Sequence, residues 1–426
     1  MNLLPKISGH RLAHNTVLAT GWQAIRVALQ AVWVILLART IGPGDYGSFA
    51  GMAGLAAALG ALTGLGFGML MIQDASRNHE RFAPAWKRAL VLTLASGLAL
   101  WGLYVITAPL LFRVHNVWLY AAIGLPELVC LPVTLVASYA FQLHERMGWA
   151  GVLFSLSAIG NLIAVVAFLG LSPQHALRYY LPFHAALSVL ASVGAVGLVL
   201  ALLAPAKARF EISRRDVREG MGFSLMRIAD TGMTSLDKTL VLLLAGNHVA
   251  GIYGSAYRLV AVLAMPATSL GMAALPRLFQ IHATGTDAPA RKSGLVAVLL
   301  AATAAYGVIA ALLAYVLSGV LPMLFGPAFA QAAQAARWLA ISPLLYGLYA
   351  LGCNVLVTSH RRTLRIVAQA AGIAILAITA LIWIPRFGLK GAVGMLLFSQ
   401  GATALLLWLL VRWNRRAGSP HPEAIP

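Results

Sequence analysis

Twelve apolar runs of about 20 residues, each ended by a short polar break, constrain this chain more than any other feature. They cover roughly residues 16–38, 48–72, 89–111, 118–142, 150–171, 181–204, 222–245, 250–276, 293–321, 338–358, 366–385 and 391–411. As a helix rising 1.5 Å per residue, such a run spans the ~30 Å hydrocarbon layer of a bilayer. A barrel strand needs only ~10 residues, so the runs are read as helices. In lipid the backbone must satisfy its own hydrogen bonds, and a helix does so within one segment. The expected fold class is an all-α polytopic membrane protein with about twelve transmembrane helices. The first run exceeds a signal h-region in length and reads as an uncleaved span.

Charge placement supports this reading. Only 10% of residues are charged, against roughly 25% in an average soluble domain. The formal charge of +19 would suggest nucleic acid in a soluble protein. Here the basic residues cluster between apolar runs, where Lys and Arg mark the cytoplasmic side. With the amino terminus inside, 21 Lys and Arg fall on the inner segments and 6 on the outer ones. Both termini are therefore expected in the cytoplasm, and nucleic acid is not expected as a partner. Cys130 and Cys353 lie within apolar runs and read as small hydrophobes.

No connection exceeds about 17 residues, so no extramembrane domain is expected. The most charged connection falls near the middle. It divides the chain into an amino-terminal six-helix bundle (1–204), a cytoplasmic linker (205–221), a carboxy-terminal six-helix bundle (222–413) and a disordered tail (414–426). A faint internal repeat agrees with that midpoint: a shift of 207 lays Gly44, Tyr46 and Gly47 on Gly251, Tyr253 and Gly254. The same shift places Gln30 on Asp237.

Seven ionisable residues fall inside the expected spans: Arg26, Glu127, Arg227, Asp230, Asp237, Lys238 and Arg258. A charge at bilayer centre costs ~2.5–3.5 kcal/mol on insertion scales, so such residues point to an interior cavity. In the seventh span, Arg227, Asp230, Thr234, Asp237 and Lys238 share an arc of roughly 100°. This stripe either faces a substrate or ion, or neutralises itself between packed helices. The first span carries a similar face of Asn15, Trp22, Arg26 and Gln30. Glu127 follows Pro126 and is read either as a partner of Arg26 or as a protonatable coupling site. Pro126 and Pro132 each remove a helix hydrogen bond, and freed carbonyls are tolerated where they line a cavity. Arg258 lies about 10 Å from its helix end, near enough to snorkel. Four positive charges against three negative make a mildly cationic interior, which suits a phosphate bound by Arg.

No Walker A sequence, HExxH, CxxC pair or GxSxG occurs. Neither an enzyme, a metal site nor a bound cofactor is expected.

The run Ala38-Arg-Thr-Ile-Gly-Pro-Gly-Asp-Tyr-Gly47, followed by Gly64-Leu-Gly-Phe-Gly68, resembles the amino-terminal signature of the polysaccharide-transport family. These are the Wzx-like flippases of O-antigen, capsule and exopolysaccharide repeat units, within the multidrug/oligosaccharidyl-lipid/polysaccharide exporter superfamily. Asp237-Lys238, Gly251-Ile-Tyr-Gly-Ser-Ala-Tyr-Arg-Leu259, Ala274-Leu-Pro-Arg277, Leu324-Phe-Gly326 and Ile384-Pro-Arg-Phe-Gly-Leu-Lys-Gly-Ala392 extend the likeness along the chain. The resemblance implies two six-helix bundles around a central cavity, alternating access, and the cytoplasmic (inner) membrane of a bacterium. It implies a polyprenyl-diphosphate-linked oligosaccharide as substrate, and polymerase or assembly proteins as partners. On that basis Arg26, Arg227, Lys238 and Arg258 would bind headgroup phosphates or acidic sugars. Asp237, Asp230 and Glu127 would couple to an H+ or Na+ gradient or pair with the cations. The signatures around Tyr46 and Tyr253 are read as turn and packing elements. Two alternatives remain open: a cation-coupled multidrug or metabolite exporter, and a non-transporting component of a glycan export complex.

Overall fold

The computed structural model describes residues 9–114, 116–172, 176–206, 208–280, 288–359 and 361–416. Among these, every regular element is helical. In chain order they are α1 (Gly9–Gly60), α2 (Phe67–Arg77), α3 (Phe82–Phe112), α4 (Val117–Leu125), α5 (Leu131–Leu143), α6 (Met147–Leu171) and α7 (Leu177–Leu202). Then follow α8 (Arg214–Gln280), α9 (Ala288–Leu317), α10 (Leu321–Phe325), α11 (Ala330–Leu339), α12 (Ser342–Thr358), α13 (Arg362–Phe387) and α14 (Leu389–Arg416). The tail from residue 417, expected to be disordered, lies outside the described residues.

Among the described residues nine helical stretches are long and apolar enough to cross a membrane, and a bent pair over Pro327–Leu339 and Ser342–Thr358 makes a tenth. Two of the nine, α1 and α8, reverse direction internally. The rings of Trp33 and Phe49 sit 6.0 Å apart. Sixteen residues of straight helix would separate them by about 24 Å. The reversal occurs at Gly42 (φ 77°, ψ 172°), and α8 has its counterpart at Gly246 (φ 84°, ψ 173°). This backbone region is essentially restricted to glycine. Pro43 then starts the returning helix at a position where its missing N–H costs nothing. Counting each reversal as two crossings brings the helices to the twelve expected.

The reversals correct the register of the repeat. Gly42 and Gly246 are 204 residues apart, not 207, so the structural counterpart of Tyr253 is Phe49 and that of Asp237 is Trp33. Sequence matching aligned the Gly-x-Tyr-Gly patterns, whereas the fold aligns the glycines that turn the chain.

Large apolar side chains such as Leu110 (80% exposed) and Val316 (72%) point outward, while Tyr104, Ala108 and Ala314 of the same helices are buried. An outward face of that kind requires lipid as its solvent.

The chain forms two compact units, Met1–Thr231 and Gly232–Pro426, whose boundary falls within α8. The helix begins at Arg214, inside the segment read as linker. The first unit is built around Phe67, Met71, Trp86, Phe141 and Leu153. The second centres on Met233, Leu299, Tyr349, Leu356 and Leu407. Two details of the first unit differ from expectation. The apolar run 48–72 is not one helix: it breaks at Gly64, Leu65 and Gly66, all at positive φ (77°, 45° and 74°). The Gly-Leu-Gly-Phe-Gly motif serves this break. A Cβ on Gly66 would lie 2.1 Å from the Gly220 carbonyl oxygen, so glycine lets the first turns of α8 sit directly on the bend.

The second detail concerns Pro132. Its missing N–H frees the Leu128 carbonyl, but that carbonyl does not line a cavity. The buried Thr63 hydroxyl donates to it at 3.1 Å, and Gly97 leaves room for the approach. A turn of π-helix over Pro126–Cys130 carries Glu127 at this joint.

Candidate functional site

In the second unit the reversal at Gly246 brings Tyr253 back onto Asp237, whose carboxylate is fully buried. The Tyr253 hydroxyl donates to Asp237 Oδ2 at 2.7 Å. Lys238 closes the group. Its Nζ donates to the Thr234 carbonyl at 2.7 Å and to Asp237 Oδ1 at 2.8 Å, with Oδ2 at 3.1 Å. It also lies 3.6 Å from the centre of the Tyr257 ring. An ammonium has three donors, and the carbonyl, the carboxylate and an aromatic face surround them here. Arg258, exposed on the next position, lies within electrostatic range of Lys238.

The first unit fills the equivalent positions with uncharged rings. Trp33 Nε1 donates to the Tyr180 hydroxyl at 2.8 Å, and that hydroxyl lies 3.3 Å from His184 Nδ1. Asp45, within the glycine-rich signature, accepts from the Leu177 N–H at 2.8 Å and so satisfies a free donor at the start of α7.

Arg26 is half-buried on the face of α1 that packs against α6. The close fit of Trp22 against Gly151 sets that contact, because a Cβ there would lie 2.3 Å from the indole. The Arg26 guanidinium carbon stands 4.2 Å over the Phe154 ring. Its buried Nε has no hydrogen-bond partner among the described residues. Arg227 and Asp230, both half-buried, belong to the first-unit portion of α8, while Asp237 and Lys238 belong to the second. The structure thus assembles Asp237 and Lys238 with Arg258 nearby, and places Glu127 on the π-helical turn Pro126–Cys130. Tyr253 and Tyr257, read from sequence as packing residues, are direct partners of the ion pair. The signal was the signature itself, which repeats tyrosine four residues apart on one helix face.

A second polar group lies at the start of α8. Arg88 from α3 bridges Asp216 at 2.6 Å and Asp74 of α2 at 3.5 Å. Glu219 binds Arg215 at 2.8 Å and is reached by Gln73 at 3.4 Å. These residues line a cleft of about 470 Å³. Burial raises the Asp74 pKa above its ordinary value. Asp216 and Glu219 push it the same way, and Arg88 opposes them.

Residues 12–282 match the family described as polysaccharide biosynthesis protein. The chain belongs to that family. No curated protein matches it. In structure it is similar to an inward-facing multidrug resistance MATE family transporter of the MOP superfamily, with TM-score 0.68 and 14% identity, covering 94% of this chain and 98% of that one. An outward-facing transporter of the same description gives 0.62 and 15%, covering 96% and 95%. A MOP superfamily transporter from Pyrococcus furiosus, described as having a binding pocket of reverse polarity, gives 0.62 and 15% over the same shares. At these identities the likeness is one of fold. This member of the polysaccharide biosynthesis family is a multi-pass membrane protein with two helical bundles of the MATE type.

Proposed function

We propose that the protein moves polyprenyl-diphosphate-linked oligosaccharide repeat units across the bacterial cytoplasmic membrane by alternating access, with both termini in the cytoplasm. The observation that carries this reading is a polysaccharide-biosynthesis family match on a transporter fold. The half-buried Arg26 supports it, because its buried Nε–H, without a partner among the described residues, suits a phosphate oxygen. Arg227 and Arg258 are the further cations proposed for the headgroup.

Lys238 has a conditional role in this scheme. Its donors are engaged by Thr234 and Asp237, so it reaches a phosphate only when Asp237 releases it. A proton or Na+ on Asp237 would do that by neutralising the carboxylate. Coupling is then a competition between ion and lysine for one carboxylate. Asp230 and Glu127 are secondary candidates for the coupling ion.

The test is deletion in the native host followed by analysis of polyprenyl-linked glycans. Complete repeat units accumulating on the cytoplasmic face are the expected result. A second reading, cation-coupled export of drugs or metabolites, is favoured by the structural neighbours, which are multidrug resistance transporters. Unchanged glycans with increased sensitivity to cationic drugs would establish that reading and overturn the first.

A further inference from the structure

The first turns of α8 have two opposed faces. With Val217 taken as zero and ~100° per residue, Met221 lies at about 40°, Arg214 at about 60°, Leu225 at about 80° and Arg218 at about 100°. All five are exposed. Asp216, Glu219, Gly220, Arg227, Asp230 and Asp237 all fall between roughly 200° and 300° on the same helix. Of these, Asp216 is tied to Arg88 and Gly220 is packed on the Leu65–Phe67 bend. The helix therefore turns its acids inward and presents arginine with apolar residues outward. Just before it, Arg209, Phe210 and Ile212 are exposed as well, and Lys87 donates to the Ala208 carbonyl at 2.9 Å, holding this stretch against α3. Glu211 is the one exposed acid between Arg209 and Leu225.

We infer that residues 209–225 form a binding surface for anionic phospholipid headgroups. Arg209, Arg214 and Arg218 meet the phosphates, while Met221 and Leu225, further along the helix, enter the acyl layer beneath them. Charge complementarity supports the first half, since the segment's other acids are engaged on the inward side. The apolar stripe decides between lipid and a soluble acidic partner. It shares its arc with the arginines and runs on into the membrane-crossing part of α8, where a water-soluble protein would have to enter hydrocarbon.

The experiment compares retention of phosphatidylglycerol and phosphatidylcholine by the full-length protein, using native mass spectrometry. Wild type is expected to prefer phosphatidylglycerol, and the preference to fall as salt rises. The variant Arg209→Gln/Arg214→Gln/Arg218→Gln should lose about fivefold in preference per arginine, with unchanged melting in detergent. Arg113→Gln/Arg178→Gln, at sites far from this segment in sequence, should retain it. Equal preference in the triple variant and wild type overturns the inference, as does a wild-type preference indifferent to salt. Loss of a co-purifying protein alone, with lipid preference intact, also overturns it.

Discussion

Asp237 stands nine residues before Gly246 and Tyr253 seven residues after it, and the tyrosine hydroxyl donates to the carboxylate at 2.7 Å. Trp33 and Phe49 hold the same two positions about Gly42, with rings 6.0 Å apart. One backbone device thus carries an ionic contact in one unit and an aromatic contact in the other.

Breaking the ionic group from one side should be costlier than removing it whole. Asp237→Asn or Lys238→Met leaves a buried charge without its counter-ion, and about 3–5 kcal/mol of stability should be lost. The double variant should lose clearly less than the two together, which a double-mutant cycle on thermal or denaturant unfolding would measure. Tyr253→Phe should cost ~1.5–3 kcal/mol, as a hydrogen bond to a charged group.

Gly42→Ala and Gly246→Ala isolate the backbone contribution. Neither position has a heavy atom within 4 Å of where a Cβ would stand, so space is not the obstacle. The cost should be about 1–3 kcal/mol each from the strained dihedrals, seen as a lower melting temperature in detergent. Equal stability to wild type would show that the reversal can form without glycine.

Gly66→Ala acts differently, because its Cβ would strike the Gly220 carbonyl at 2.1 Å. The first turns of α8 should lift from the bend. Faster tryptic cleavage at Arg214, Arg215 or Arg218, against an unchanged rate elsewhere, is the expected readout.

The pH dependence of the Asp74 cluster has a defined sign. A carboxyl whose folded pKa is raised binds more protons folded than unfolded, so its contribution is greatest below the ordinary Asp value. It is lost as pH rises through the raised pKa. Asp74→Asn removes that loss. The stability difference between variant and wild type should therefore be flat at low pH and shift in favour of the variant as pH rises above the ordinary Asp range. Unfolding midpoints measured across that range test it.

Arg26→Ala should reduce transport of the lipid-linked glycan while leaving the protein folded, because its Nε carries no described structural bond. Arg26→Lys should recover less than full activity, since a point charge does not reproduce the guanidinium fork. Normal glycan export by Arg26→Ala would remove it from the proposed site.

The helices, their lipid surroundings and the charged stripe on the seventh span were legible in sequence. Apolar length and a 3.6-residue period are local properties, and Arg227, Asp230, Asp237 and Lys238 share a face wherever that helix lies. The break at Gly64–Gly66 was not legible, because an apolar run of the right length conceals a change of direction. The repeat was detected but set three residues out of register, since residue identities near a turn say less than the residue that makes it.

By itself, then, the sequence determined that this chain lives in lipid as helices with a polar stripe, because hydrophobic transfer and helical periodicity act within each segment. Tertiary structure alone decided which polar groups meet: Tyr253 on Asp237, Thr63 on the Leu128 carbonyl, Arg26 over Phe154. Such contacts join residues 16 to 128 positions apart, and they depend on single backbone dihedrals and close helix approaches that no local pattern encodes.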